Sequence, residues 1–358
     1  MNITCMLSLD FLRIKNRGLY GFIALMCFLG SNTFAFNNDN KLFKKITAIE
    51  KKSHGIMGIT AIHIEKNKVI KHNSNKRFFM ASTIKLPIAL AFLHRVDLKK
   101  DSLNRMIRMD SHNSVPGSGS LHYLFEKKQI RISLQQILKY ALINSDNSAS
   151  DTLLNMVHGP EYVKKRMAAL GFKNILINRS ILEMLMDTNH VNHALLKKNQ
   201  SVRSWEQIFN KTPLKEKKLA WQRFEKDKRD TTTPNEMARL LVKLYKNQAL
   251  SESSTKILMH IMEQCRTGRS RIRGLLPAHI KVAHKTGTWG ITEPQYINYS
   301  GSKKLYRFTS DVGIITLPKN KGHIAIAIYV KSRSVSDYSR SRAIALASRA
   351  IYDHFMKL

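Results

Sequence analysis

Gly55-Ile56-Met57-Gly58-Ile59-Thr60-Ala61-Ile62-His63-Ile64 sets Ile56, Gly58, Thr60, Ile62 and Ile64 in alternation with other residues, which is the two-residue period of a strand. Lys66-Asn67-Lys68 reads as a turn, and a second strand follows it as far as Ile70. The β pattern returns near the C-terminus. Ile280–Thr286, Arg307–Leu317 and His323–Val330 read as three strands, and Arg340–Leu358 reads as an amphipathic helix. The middle, roughly Ser82 to Gln264, is mostly helical in period. Strand-forming stretches at both ends of a chain, enclosing helices, predict a sheet assembled from the two termini with an all-α region inserted. The stretch from Asn178 to Arg229 departs from the rest: it is polar, rich in lysine and weakly periodic, and it reads as a long surface excursion.

With 43% hydrophobic and 24% charged residues, the 358-residue chain has the composition of a globular protein. Sixty Lys and Arg against 25 Asp and Glu give a net charge of +35, spread along the whole chain. Such a field attracts anionic partners, here expected to be cell-envelope polymers. No zinc-finger spacing, RNP-like aromatic motif or basic-region heptad is present, so nucleic acid is not expected as a partner. Arg13, Lys15 and Arg17 precede the apolar run Leu19–Leu29, and Thr33-Phe34-Ala35 closes a leader pattern. The run is short for a bilayer span. The expectation is an exported protein, periplasmic or secreted, with residues 1–35 as its signal peptide. Removal of that leader takes Cys5 and Cys27 with it and leaves Cys265 alone, excluding an internal disulfide. His190 and His193 form a short pair without a third ligand nearby in sequence, so no metal is expected.

The chemistry begins at Ser82-Thr83-Ile84-Lys85. Positions three apart on a helix share a face, so a hydroxyl and an ammonium can meet there. A lysine that is partly desolvated and near other cations loses its proton more easily and can activate the serine. The pattern alone is not specific, since Ser253…Lys256 and Ser300…Lys303 also match it. Context separates them. Ser82 follows Phe78-Phe79-Met80-Ala81 and opens the apolar run Leu86–Leu93, the mark of a buried helix with Ser82 and Lys85 at its N-terminus. Ser145-Asp146-Asn147 is a second element, readable by itself as a helix-capping cluster. Lys285-Thr286-Gly287-Thr288, at the end of an apolar strand, is a third. Its lysine and hydroxyls offer donors to a carboxylate, and Gly287 leaves the backbone open to a ligand.

In this order the three elements resemble the signature of class A β-lactamases and the penicillin-recognising serine hydrolases. Pro116-Gly117-Ser118-Gly119, Asp230-Thr231-Thr232-Thr233-Pro234 and Thr267-Gly268 to Leu276-Pro277 are similar to flanking segments of that family. The resemblance runs from about Gly55 to the C-terminus, apart from the excursion. It implies a β-lactamase/transpeptidase-like α/β (α+β) fold. An antiparallel sheet from about 40–80 and 278–358 is flanked by helices, and the all-α region covers about 81–277, with an insertion near 178–212. It also implies hydrolysis of the β-lactam amide bond, the chemistry of antibiotic resistance; no cofactor is expected, and the chain is expected to be a monomer.

The roles implied by that resemblance are as follows. Ser82 attacks the lactam carbonyl, and Lys85 takes its proton directly or through a water. The backbone donors of Ser82 and Thr288 form the oxyanion hole. Ser145 passes a proton to the departing nitrogen, while Asn147 holds Lys85 and the substrate's side-chain amide. Lys285, Thr286, Gly287 and Thr288 form the carboxylate-binding strand. For the deacylating water the family uses a glutamate in a Glu-x-x-Leu-Asn stretch, and Glu216-Lys217-Lys218-Leu219-Ala220 stands at nearly the matching distance from Asp230. Ala220 departs from that pattern, and no Arg-x-Glu-Pro precedes Glu216. Glu183 is a rival, and Glu225 lies too close to Asp230. A penicillin-binding D-Ala-D-Ala peptidase-like hydrolase that deacylates slowly, and a non-catalytic envelope-binding protein, remain the alternatives.

Overall fold

The computed structural model describes residues 40–197, 201–290, 305–334 and 336–358. The chain divides into two compact units, residues 1–47 and 48–358. In the first, residues 40–47 are described and are helical. The expected leader over residues 1–35 lies outside the described residues. Among the described residues, no helix is long and apolar enough to cross a membrane.

The second unit contains nine described strands: β1 (Gly55–His63), β2 (Lys68–His72), β3 (Phe78–Phe79), β4 (Met106–Met109), β5 (Ile130–Ser133), β6 (Thr231–Thr232), β7 (Val282–Trp289), β8 (Arg307–Thr316) and β9 (His323–Ser332). Five of them form one antiparallel sheet in the order β2-β1-β9-β8-β7, so the two ends of the chain meet along the β1–β9 ladder, with Ile59 opposite Ile328. The helices that frame the site are α1 (Lys85–Asp97), α2 (Asn147–Met156), α3 (Ile181–Thr188), α4 (Val202–Lys211), α5 (Leu214–Phe224), α6 (Pro234–Tyr245) and α7 (Asp337–Phe355).

From Met57 onward β1 is buried at every position rather than at every second one. The reason is that both faces of the sheet are covered. A side chain at Gly58 would strike Phe78 and Pro234 of α6, whereas His63, five residues on and therefore on the opposite face, packs its ring edge-on against Phe355 of α7. A strand covered on both faces carries apolar residues throughout.

Two expectations need correction. The region expected to be all-helical, about 81–277, also holds β4 and β5, paired with each other, and β6, paired with β3. Strands of two to four residues are too short for periodicity to reveal. The stretch expected as a surface excursion is built mostly from α3, the 3-10 turn His193–Lys197, α4 and α5. Met186, Trp205 and Phe209 are buried in a small apolar cluster of its own, with Leu182, Leu185, Val191, Leu195 and Ile208 against them. These helices are only 8, 10 and 11 residues long and are separated by polar turns, which leaves little continuous helical period to read. The base of the excursion is closed by Asp230, which accepts hydrogen bonds from the amides of Asn178 and Arg179 and from Arg179 Nε at 2.6 Å.

Because this cluster joins the main core through half-buried Leu182 and Leu185, Trp205→Ala should weaken chiefly the excursion, by about 3–5 kcal/mol. Limited proteolysis should then cut within residues 181–211 at protease concentrations that leave the wild type intact. Equal resistance of the two proteins would show that Trp205 does not hold this segment.

Candidate active site

Ser82 lies in the 3-10 turn Ala81–Ile84, and Lys85 is the first residue of α1. In a 3-10 turn, residues three apart eclipse one another, so the serine and the lysine stand on one side of the chain. Three bonds hold the turn: Met80 N–H donates to Asp230 O at 3.0 Å, Thr83 Oγ1 donates to Met80 O at 2.7 Å, and the Tyr329 hydroxyl meets Thr83 Oγ1 at 3.2 Å. Ser82 is half-buried and Lys85 is buried. The ammonium of Lys85 does not spend its donors on Ser82. It donates to Ser145 O at 2.5 Å, Asn147 Oδ1 at 2.8 Å and Ser145 Oγ at 3.4 Å. Burial and the charge of Lys285 drive its pKa well below the usual lysine range, against the pull of Asp146 and Asp151.

Ser145, Asp146 and Asn147 form the tight junction ahead of α2. Asp146 is a helix cap, accepting from Ala149 N at 2.8 Å, as the bland reading of this cluster holds. Its other oxygen accepts from Leu121 N at 2.8 Å, and a Cβ at Gly119 (φ +113°) would collide with that carboxylate. Asn147 N donates to Ser118 O, and Asn147 Nδ2 donates to Pro116 O, both at 2.8 Å. The 116–121 segment thus clamps the junction. Ser145 itself is in the left-handed region, φ 58°, a conformation that costs a non-glycine residue about 1–3 kcal/mol. Both its carbonyl oxygen and its hydroxyl are bonded to lysines.

The second lysine arrives on β7, the edge strand of the sheet. Lys285 is fully buried and donates to Ser145 Oγ and to Thr286 O, each at 2.9 Å. Burial lowers its pKa to about 8, and nearby Arg271 adds to the effect. Thr286 and Thr267 share a hydrogen bond of 2.6 Å between their hydroxyls, and Cys265 is a buried thiol 3.3 Å from Thr267 Oγ1. Gly287 has a role the sequence did not reveal. A Cβ there would stand 2.7 Å from Met80 O and 2.5 Å from Ser310 Oγ, so the missing side chain lets β7 pack against the Ser82 turn itself.

Sequence reading missed Arg271. Its guanidinium is buried behind β7, donating to Gly287 O at 2.9 Å, Ser310 O at 3.0 Å and Thr288 Oγ1 at 2.6 Å. The run Arg269-Ser270-Arg271-Ile272-Arg273 contains three arginines in five residues; Arg273 also reaches β7, donating to Val282 O at 3.2 Å, and nothing local marks Arg271 as the one beside Gly287 and Thr288.

The structure therefore joins Lys85, Ser145, Asn147 and Lys285 in one hydrogen-bonded cluster, with Ser82 on the turn below and Thr286, Gly287 and Thr288 on the adjoining edge. It does not bring Glu216 there. Glu216 is in the first turn of α5, its side chain is 49% exposed, and its ion-pair partner is His190 at 3.9 Å. The expectation for Glu216 is corrected on that ground: the excursion folds into helices, and α5 carries this residue on its outer face. The other histidine of the sequence pair, His193, is bonded to Asp187 at 2.8 Å. Of the chance Ser-x-x-Lys matches, Lys256 is an exposed residue paired with Glu252, and 300–303 lie outside the described residues.

Acids do stand behind Lys85. Asp151 is buried, and that burial raises its pKa to about 6. Its two oxygens accept from Ile181 N at 2.8 Å and Leu182 N at 2.9 Å, fastening the start of α3 to α2. The charges of Lys85 and of half-buried Glu183 both act on Asp151.

Comparison with known proteins agrees with this geometry. The family model described as the beta-lactamase enzyme family matches residues 41–355. Beta-lactamase VEB-1 of Pseudomonas aeruginosa is 26% identical over 328 residues, covering 90% of this chain and 94% of its own. Extended-spectrum beta-lactamase PER-1 of the same organism is 27% identical, covering 80% and 78%. Among solved structures, the TLA-1 extended-spectrum beta-lactamase superposes with a TM-score of 0.69 at 28% identity, covering 88% of this chain and 99% of that one. A beta-lactamase from Chitinophaga pinensis gives 0.69 at 26% identity, covering 87% and 98%. With a match that takes in both the sheet and the clustered lysines, this chain belongs to the β-lactamase enzyme family.

Proposed function

We propose that this chain hydrolyses the amide bond of β-lactams through an acyl-enzyme on Ser82. The observation that carries the reading is the Ser145 hydroxyl, which is within hydrogen-bond reach of both Lys85 and Lys285. A lysine whose charge is disfavoured by burial and by a second lysine gives up its proton more readily and can serve as a base. In this scheme Lys85 accepts the Ser82 proton, and the hydroxyl attacks the lactam carbonyl. The oxyanion is met by the backbone donors of Ser82 and Thr288. Ser145 then delivers a proton to the departing nitrogen, and Lys85 replenishes it. Lys285, Thr286 and Thr288 receive the substrate carboxylate, with Arg271 adding positive charge from behind the strand. Asn147 serves the substrate's side-chain amide and fixes Lys85.

For the deacylating water we assign Glu183 in place of Glu216. Both oxygens of Asp151 are engaged by amides, whereas Glu183 is half-buried and one of its oxygens, Oε2, is held by Ser180 N at 2.6 Å. Export is proposed from the leader pattern. Attraction to anionic envelope polymers is proposed from the net charge of +35 and should weaken as salt rises.

Intact-mass spectrometry during incubation with a penicillin tests the chemistry. A transient adduct should form and be absent in Ser82→Ala. Glu183→Gln should trap it, with turnover lowered about 100-fold or more, while Glu216→Gln should behave as wild type. An adduct on Ser82→Ala would remove Ser82 as the nucleophile, and a trapped Glu216→Gln adduct would restore the corrected residue.

The rate should also depend on pH in two directions. As pH falls through the pKa of Lys85, the base becomes protonated and kcat/KM drops. Above about pH 8, Lys285 loses the charge that binds the carboxylate, and kcat/KM drops again. The alkaline fall should be missing for an uncharged ester of the same β-lactam, and its persistence there would contradict the role of Lys285.

A further inference from the structure

Lys85, Lys285 and Arg271 are all buried beside the groove, and their hydrogen bonds among the described residues go to neutral oxygens. Lys85 donates to Ser145 and Asn147, and Lys285 donates to Ser145 and Thr286. Arg271 donates to Gly287 O, Ser310 O and Thr288 Oγ1 and, through Nε, to Ser341 Oγ of α7 at 3.1 Å. The carboxylate of Asp337 is 3.7 Å from Arg271, but its side chain is 54% exposed and water screens it. Buried cations without a counter-charge are costly.

Asp311 of β8 meets that need. It stands opposite Thr286 in the β7–β8 ladder and is wholly buried. Its charge acts on both Lys285 and Arg271 and favours the protonated form of each, against the effect of burial. Its hydrogen-bond donors are other groups. Ile272 N donates to Oδ2 at 3.1 Å, which ties down the backbone one residue past Arg271. His284 Nδ1 lies 2.9 Å from Oδ1 and 3.0 Å from Oδ2. A carboxylate only accepts, so a neutral His284 carries its proton on Nδ1. Nε2 of that ring is buried without a partner among the described residues. A neutral ring leaves only a lone pair there, whereas an imidazolium would leave a charged donor unpaired. His284 therefore orients the carboxylate without cancelling its charge.

We propose that Asp311 is a positioning residue of the carboxylate-binding edge, a role that rests on the acyl-enzyme chemistry proposed above. It fixes the turn that carries Arg271 and provides the buried counter-charge for Arg271 and Lys285. Lys285, with Arg271 behind it, then keeps its charge for a substrate carboxylate. Asp311 acts through these two cations and not on the reacting atoms. Of the charged and titratable groups facing Lys285, Lys85 and Arg271 are cations, while Asp311 and the Cys265 thiol favour its protonated form. Removing the negative charge of Asp311 should therefore lower the pH at which Lys285 gives up its proton.

Steady-state kinetics of the full chain with a penicillin and with its uncharged methyl ester test this role. Asp311→Asn keeps the size of the side chain and can keep both hydrogen bonds, its oxygen accepting from Ile272 N and its amide donating to the other tautomer of His284. It should raise KM for the penicillin about tenfold or more while changing kcat by less than about threefold. The alkaline fall of kcat/KM should move to lower pH, and the ester should be turned over as by wild type. His284→Gln, which keeps the Asp311 charge, should leave the alkaline fall where wild type has it. An unchanged penicillin KM in Asp311→Asn, equal shifts in the two variants, or a parallel loss of ester turnover would overturn the role of Asp311. A wild type that forms no adduct on Ser82 would instead bring down the underlying chemistry, and this role with it.

Discussion

Two buried ammonium groups compete for one hydroxyl. Lys85 and Lys285 lie 3.4 and 2.9 Å from the same oxygen of Ser145, and neither has water to spread its charge. As a general scale, two unit charges about 4 Å apart at an effective dielectric constant of about 20 interact by about 4 kcal/mol. One lysine must surrender its proton far more readily than an exposed lysine would. Burial and the charge of Lys285 drive Lys85 well below the usual lysine range, and burial lowers Lys285 to about 8. In the proposed mechanism Lys85 is then the base for Ser82, and Lys285 is the cation offered to a substrate carboxylate.

The fold brings these groups together at the expense of strained backbone. Ala81, Ser145 and Asp230 all have positive φ, at 48°, 58° and 53°. They lie before the nucleophile, between the two lysines, and at the base of the excursion. Each is pinned by what surrounds it: the 116–121 clamp around Ser145, the Arg179 pair around Asp230, and the close approach of β7, permitted by Gly287, around Ala81. Residues held in this way keep geometry that the local sequence would not choose.

Much of this was legible in the residues. The two-residue period of β1 and of the C-terminal strands marks the sheet, and the three short motifs mark the groove, because each combines a chemically unusual residue with a structural break. What stayed hidden depends on contacts between distant segments. The helices of the excursion rest on Trp205 and Phe209 packing against Met186, which no local pattern encodes. Arg271 is one of three neighbouring arginines, distinguished by the part of β7 it meets, at Gly287 and Thr288. Spacing from Asp230 favoured Glu216, but spacing assumes that the intervening chain is a loop. The chain there is helical, so residues at a matching distance along the sequence face elsewhere.

The charge state of Lys85 is the most direct test of this account. In protein carrying ¹³C-labelled lysine, with Lys85 assigned by its replacement with arginine, the shift of its ε-carbon can be followed against pH by NMR. The account predicts a midpoint well below the ordinary lysine range. A Lys85 that stays protonated as far as an exposed surface lysine would contradict it, because no base would then stand beside Ser82.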